Sequence, residues 1–358
     1  MRSVIDILDL SVSELDELIK TACDMIENPD KYSECCRGKK LATLFFEPST
    51  RTRLSFESAM LELGGSVIGF SDAKNTSASK GETVADTARV VSCYADIIAM
   101  RHLLEGAPLV ASLNASIPVI NAGDGGHAHP TQTLADLLTI HREKGRFNDL
   151  TVGFCGDLKY GRPVHSLIHA LSRYTGIKIV LISPDELVLP ENIKRDVIEK
   201  HNMPYFETDD LESVLPELDI LYMTRVQGER FDDQDEYERL KSRYILNAEK
   251  MKSAKSDMIV LHPLPRVEEI SVDIDKDERA CYFKQVANGK IMRKALILKL
   301  LSEAKLEHPA RNKNYTYTET NLCNHKRCIS QTERGLDFAV VSNGDDKTCA
   351  YCESVIKN

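Results

Sequence analysis

No stretch of the chain approaches the ~18 consecutive apolar residues of a membrane-spanning helix. The N-terminus, MRSVIDILDLS, lacks the long apolar run and small-residue cleavage site of a secretory signal. A cytoplasmic protein without a disulfide framework is therefore expected. Positive charge is also short: 46 Lys+Arg face 55 Asp+Glu, for a formal charge of −9. That balance argues against a general nucleic-acid binder, though not against anionic small molecules, which local arginines can meet. No G-x-x-x-x-G-K-[ST] loop occurs, so no Mg-nucleotide chemistry is implied. No Ser/His/Asp or Cys/His set is legible either. What remains is an ordinary globular composition, 42% hydrophobic and 28% charged over 358 residues. The length suggests two domains and a remainder.

The ten cysteines divide unevenly. Cys23, Cys35, Cys36, Cys93, Cys155 and Cys281 are scattered and read mostly as small buried hydrophobes. Cys323, Cys328, Cys349 and Cys352 crowd the C-terminal end, spaced C-x4-C and C-x2-C. Two short paired spacings let two turns present four thiolates to a tetrahedral structural zinc, one per chain. His325 could stand in for one of them.

Apolar runs at Leu41–Phe46, Val67–Phe70, Ile97–Met100 and Ile117–Asn121 alternate with helical patterns. A second series follows at Thr151–Cys155, Lys178–Ser183, Ile220–Thr224 and Met258–Leu261. Ser11 and Glu14 have capping-box spacing at the first helix. Thr131–Glu143 reads as a connecting helix and Ile291–Ala304 as a closing one. The alternation predicts an α/β chain with two doubly wound parallel-sheet domains joined by helices. The run Glu307–Asn321 has no helical stripe and reads as a linker or exposed extended segment.

Open parallel sheets bind ligands beyond the C-terminal ends of their strands. Of the segments that follow seven of these strands, six carry Arg, Lys or His within a few residues, which predicts an anionic ligand lying between the two domains. The sharpest signal is Ser49-Thr50-Arg51-Thr52-Arg53, between a strand and a helix with apolar residues Phe56, Ala59, Met60 and Leu63. A helix N-terminus offers free N–H groups and a positive dipole end, and Arg51 adds a planar fork for phosphate oxygens. The plainer alternative is N-capping by Ser49 with solvated arginines.

The segments FEPSTRTRLSFE, GGHAHPTQTLADLLTI, GDLKYGRPVHSL, MTRVQGER and LHPLPRVEEI occur in this order within about residues 1–305. Together they resemble the catalytic chains of the aspartate carbamoyltransferase family. The resemblance implies that Ser49, Thr50, Arg51 and Thr52 hold the phosphate of carbamoyl phosphate. Arg101, His129 and Gln132 would meet its carbamoyl end, and main-chain groups of Pro263 and Leu264 would orient the carbamoyl nitrogen. Arg162, Arg225 and Gln227 would hold the aspartate carboxylates. Ser77 and Lys80 would reach into a neighbouring subunit's site, which implies a homotrimer or a multiple of trimers. Glu47 and Arg230 would tie the two domains in a closed state. The implied reaction is transfer of the carbamoyl group to the α-amine of L-aspartate, in de novo pyrimidine biosynthesis, without an organic cofactor. Nucleic acid and membrane are not expected partners. A different amino-acid acceptor and a non-catalytic scaffold are the competing readings.

The segment CNHKRCISQTERGLDFAVVSNGDDKTCAYCE is similar to the zinc domain of the same family's regulatory chains. This implies a fusion: a carbamoyl-phosphate domain at 1–131 completed by a helix at 288–305, an aspartate domain at 132–287, a linker at 306–320, and a small β-rich zinc domain at 321–358. The regulatory chain's nucleotide-binding domain is expected to be absent. The zinc unit would dock on the same or a neighbouring catalytic part.

Overall fold

The computed structural model describes residues 2–226, 235, 237, 238, 243–304, 315–343 and 346–356. Gln227 and Arg230 lie outside the described residues, as does part of the expected linker. The chain divides into two compact units, Met1–Thr131 with Lys290–Asn358, and Gln132–Gly289.

In the first unit, α1 (Val12–Glu27) starts at the expected capping box, with Ser11 and Glu14 each bonding the other's backbone. The parallel sheet has the order β2-β1-β3-β4, from β1 (Lys40–Phe45), β2 (Ser66–Phe70), β3 (Ile97–His102) and β4 (Val119–Asp124). Between the strands lie α2 (Thr50–Glu62), α3 (Val84–Ser92) and α4 (Ala107–Asn114). Strands β3 and β4 are almost wholly buried, as expected for a parallel sheet covered on both faces.

Helix α5 (Pro130–Lys144) carries the chain into the second unit. Its parallel sheet has the order β7-β6-β5-β8-β9, from β5 (Thr151–Cys155), β6 (Lys178–Ile182), β7 (Tyr205–Thr208), β8 (Ile220–Met223) and β9 (Ile259–Leu261). Helix α6 (Arg162–Leu171) follows β5. The edge strand β7 was not foreseen, because three of its four residues are exposed and it lacks the apolar run that marks a buried strand. The closing helix begins at Tyr282 and runs to Ser302, well before the expected start at 288 or 291. Lys284, Gln285 and Asn288 interrupt the apolar pattern there, yet Gln285 and Asn288 are buried by hydrogen bonds rather than by hydrophobicity.

The C-terminal segment forms a three-stranded antiparallel sheet, β10 (Tyr315–Thr318), β11 (Phe338–Asn343) and β12 (Asp346–Cys349). Its first strand answers to the exposed extended segment, the second of the two readings of Glu307–Asn321, and within it Tyr315 pairs with Val341 and Thr318 with Phe338. This module belongs to the first unit and shares a core with it: Ala107 and Val110 of α4 are in one cluster with Cys328, Ile329 and Tyr351. Gly106 marks the close approach; at φ +84, a Cβ there would meet the Tyr351 carbonyl at 2.7 Å. Glu105 and Cys328 form a parallel bridge, with Glu105 N donating to the Arg327 carbonyl at 2.8 Å and Ile329 N to the Glu105 carbonyl at 2.9 Å. Glu333 accepts from the N–H groups of Val84 and Ala85 at 3.1 and 2.9 Å, capping α3 from outside its own segment. Arg334 donates to the Gly81 carbonyl at 2.6 Å.

Candidate functional site

Strand β1 ends at Phe45, and the chain enters α2 through Glu47-Pro48-Ser49. Ser49 is the N-cap residue, with an extended backbone, but its hydroxyl makes no capping hydrogen bond. The plainer alternative thus loses its capping hydrogen bond but keeps an exposed Arg51. The first turn of α2 keeps its N–H groups, two hydroxyl residues and Arg51 together, while Thr52 is buried beneath them. A turn of this kind offers donors and a positive dipole end to an anion.

Arg101, at the end of β3, is buried; its Nη2 lies 2.9 Å from Glu47 Oε2 and its Nη1 donates to the Ala122 carbonyl at 3.3 Å. Its Nε is enclosed without a hydrogen-bond partner among the described residues. Burial pulls the guanidinium below its usual pKa, Glu47 opposes this, and the nearby Arg51 charge adds to it. Two guanidinium groups close enough to repel each other favour a bound anion. Glu47 is thus engaged with Arg101 inside its own unit.

His129 is buried in the turn between β4 and α5. That turn is built on Asp124, which the sequence did not single out. Fully buried, Asp124 accepts from Gly106 N and Asn121 Nδ2 at 2.9 Å and from Ala128 N at 3.0 Å, and pairs with His127 at 3.0 Å. Burial works against charge on His127, but Asp124 and then Glu353 outweigh it, so its pKa stands well above the ordinary imidazole value. Arg293 was also missed. It donates to Ser55 Oγ of α2 at 3.1 Å and to Thr131 Oγ1 at 3.3 Å, bracing α2 and the turn after His129. A lysine- and arginine-bearing helix gave no signal that one of its cations points inward. Ser77 and Lys80 sit in a short exposed 3-10 turn.

In the second unit, β5, β8 and β9 are neighbours. Their C-terminal ends lead to Arg162, Arg225 and the His262–Arg266 turn. Thr224 ties two of these ends together: its N–H donates to the Cys155 carbonyl and its Oγ1 accepts from Asp157 N, both at 2.8 Å. Arg162 opens α6 directly after its N-cap Gly161. Gln132 donates to Asp136 at 2.8 Å. Leu264 has φ +53, in the left-handed region. Arg266 is paired with Asp275 and donates to the Tyr282 hydroxyl at 3.0 Å, which makes it structural rather than a ligand cation.

The four C-terminal thiols are all buried, with ligand atoms within 4.8 Å of one another. Cys323 and Cys352 sulfurs are 3.6 Å apart, and those of Cys328 and Cys349 3.7 Å. Tetrahedral zinc, with Zn–S of ~2.3 Å, separates its sulfurs by about 3.8 Å. The donor set therefore fits a tetrahedral metal, and none of the four is in a disulfide. Glu105, His325 and Cys352 form an overlapping second set. Of the six scattered cysteines, Cys36, Cys155 and Cys281 are buried as expected, but Cys35 and Cys93 are exposed and Cys23 is half-buried. Cys35 lies in a turn, Cys93 caps the end of α3, and Cys23 lies within α1 outside its buried stripe.

Among the described residues no helix is long and apolar enough to cross a membrane. The family description "Aspartate/ornithine carbamoyltransferase, carbamoyl-P binding domain" matches residues 2–142, and "Asp/Orn binding domain" matches 148–300. The chain is 64% identical over 302 residues to the aspartate carbamoyltransferase catalytic subunit of Lachnoclostridium phytofermentans, covering 84% of this chain and 98% of that one. The corresponding Clostridium acetobutylicum subunit is 63% identical over 300 residues, with the same coverage. Among solved structures, the catalytic subunit of M. jannaschii aspartate transcarbamoylase aligns with a TM-score of 0.80 at 46% identity, over 86% of this chain and 100% of that one. The Trypanosoma cruzi enzyme in complex with carbamoyl phosphate and aspartate aligns at 0.79 and 38%, over 84% and 96%. With two family domains matched in order across most of its length, this chain belongs to the aspartate/ornithine carbamoyltransferase family.

Proposed function

We infer that the chain is an aspartate carbamoyltransferase, forming N-carbamoyl-L-aspartate and phosphate from carbamoyl phosphate and L-aspartate. The observation that carries the residue assignments is the anion site at the start of α2, where the Ser49 hydroxyl is not spent on capping and Arg51 acts on a buried Arg101. Ser49, Thr50, Arg51 and Thr52 bind the phosphate. The α-amine attacks the carbonyl carbon, and the C–O bond to phosphate breaks. Thr52, Arg101 and His129 donate to the carbonyl oxygen as negative charge develops, while Arg51 and the helix N-terminus stabilise the leaving phosphate. The departing phosphate takes the amine proton, so no protein base is required. Gln132 and main-chain groups of Pro263 and Leu264 orient the carbamoyl group. Arg162, Arg225 and Gln227 hold the acceptor, two planar forks suiting two carboxylates. Positioning and charge stabilisation carry the rate.

Ser77 and Lys80 act in a neighbouring subunit's site, so the working unit is a trimer or a multiple of trimers. Glu47 and Arg230 tie the domains in the closed state. Cys323, Cys328, Cys349 and Cys352 hold one structural zinc, and the module is a fused counterpart of the family's regulatory zinc domain. The metal supplies folding energy there and takes no part in the chemistry.

Mixing inactive Lys80→Ala and Arg51→Ala chains tests the shared site. Partial recovery of activity after verified subunit exchange is expected, and no recovery contradicts it. Arg225→Ala or Arg162→Ala should damage aspartate use more than carbamoyl phosphate binding; an equal loss in both would remove the acceptor assignment.

A further inference from the structure

Behind the turn that follows β9 runs a chain of buried polar groups. Asp136, His262, Gln285 and Glu269 are 0, 1, 2 and 4% exposed. Groups so enclosed are costly unless each finds its partner, and here each does. Glu269 Oε1 lies 2.8 Å from His262 Nε2, and its Oε2 accepts from Val267 N at 3.0 Å and Glu268 N at 3.1 Å. Leu264 N donates to His262 Nδ1 at 2.8 Å. A backbone N–H can only donate, so Nδ1 carries the lone pair and the ring proton is on Nε2, pointing at Glu269. The main chain of His262 donates to Gln285 Oε1 at 3.0 Å, Gln285 donates to Asp136 Oδ1 at 2.5 Å, and Gln132 and the Tyr222 hydroxyl complete Asp136 at 2.8 and 3.1 Å. The hydrogen bond to Nδ1 therefore anchors a leucine held at φ +53, a region that a non-glycine residue enters only when its surroundings fix it.

We propose that Glu269 is a positioning residue: it holds His262 in the Nε2–H tautomer, so that Nδ1 can anchor Leu264 N–H and fix the Pro263–Leu264 main chain. This rests on the carbamoyl-transfer reading, in which that main chain orients the carbamoyl nitrogen. Glu269 touches no substrate and acts only through the ring. Its electrostatics agree: burial opposes its charge, but the hydrogen bond from His262 and those from the backbone leave its pKa below the usual carboxylate value.

The tautomer makes a test that bulk or burial alone would not pass. In Glu269→Gln the amide can keep its own bonds only by turning a donor either to the ring or to the two backbone N–H groups. Facing the ring, it forces the proton to Nδ1 against Leu264 N–H. His262→Asn places an acceptor where Nδ1 stands and needs nothing from position 269, whereas His262→Gln reaches only the Nε2 position. Glu269→Gln and His262→Gln should lower kcat/KM for carbamoyl phosphate by about 100-fold, the cost of a misplaced contact of this kind. His262→Asn should recover most of it, and adding Glu269→Gln to His262→Asn should cost nothing further. Imidazole 15N shifts should report Nε2–H in the wild type and a displaced proton in Glu269→Gln. If Glu269→Gln does not fold, the two His262 variants decide. Equal losses in His262→Asn and His262→Gln, or wild-type kinetics in Glu269→Gln, overturn the positioning role. A wild type unable to form carbamoyl aspartate overturns the reaction reading instead.

Discussion

Residues 2–304 and residues 315–356 are held together by different means. The first stretch buries parallel strands, such as Ile97–Met100 and Val119–Asp124, almost completely within its sheets. The second has a sheet of three short strands, one of them largely exposed, and its enclosed residues gather around four thiols. It also borrows core from α4 and cap contacts from α3. The part that the family descriptions cover is thus self-sufficient in its core, while the part beyond residue 304 gathers four thiols that could hold a metal and packs on its neighbour. A module this small cannot bury enough apolar surface to fold alone.

Removing the proposed zinc should have the largest effect, and only on 315–356. Structural zinc contributes roughly 10–16 kcal/mol of apparent binding free energy at neutral pH. Purified protein should carry about one zinc per chain. Chelation or Cys349→Ser should leave 315–356 exchanging amide hydrogen freely, while β1, β3 and β4 stay protected. Protection unchanged throughout the module would show that the thiols are not its staple.

The next effect belongs to the self-sufficient part. Arg51→Ala should cost about 2–5 kcal/mol in carbamoyl phosphate binding and turnover, the range for truncating one member of a desolvated charge pair. Zinc content should not change. Near-wild-type kinetics would remove the phosphate site from α2.

Acid should separate the regions by another route. Burial holds both His102 and His165 neutral, with pKa lowered to about 4. Their unfolded imidazoles take up a proton at about 6.5. The stability from these depressed groups is present above pH 6.5 and is lost as pH falls from about 6.5 toward about 4. The thermal midpoint of 2–304 should fall across that window, and less steeply in His102→Asn. An unchanged slope in that variant would show that His102 does not contribute.

The smallest effect is at the junction. Glu333→Ala removes the external cap of α3, a change worth about 1 kcal/mol by analogy with N-cap losses. Faster exchange at Val84 and Ala85, with the rest of α3 nearly unchanged, is the expected result. No change at those amides would mean that the module does not cap the helix.

How far the sequence could be read follows the same division. Buried parallel strands declare themselves as apolar runs, and the Ser11–Glu14 box and Ser49–Arg53 turn declare themselves through spacing. Strand β7 did not, because an exposed edge has no such run. The strand at Tyr315–Thr318 read only as linker or exposed extended segment, because alternating Tyr and Thr gain a partner only when β11 lies alongside. Among site residues, cations at strand ends were legible from their place. Asp124, Asp136, Arg293 and Glu269 were not, since what each does depends on partners distant in sequence.

The self-sufficient part is proposed to transfer the carbamoyl group to a dicarboxylic acceptor. The direct measurement is the steady-state rate of carbamoylation, with carbamoyl phosphate saturating, of L-aspartate against L-ornithine by the zinc-loaded full chain. The account predicts N-carbamoyl-L-aspartate with stoichiometric phosphate and little or no product from ornithine. Faster carbamoylation of ornithine, or no product from either acceptor, would contradict it.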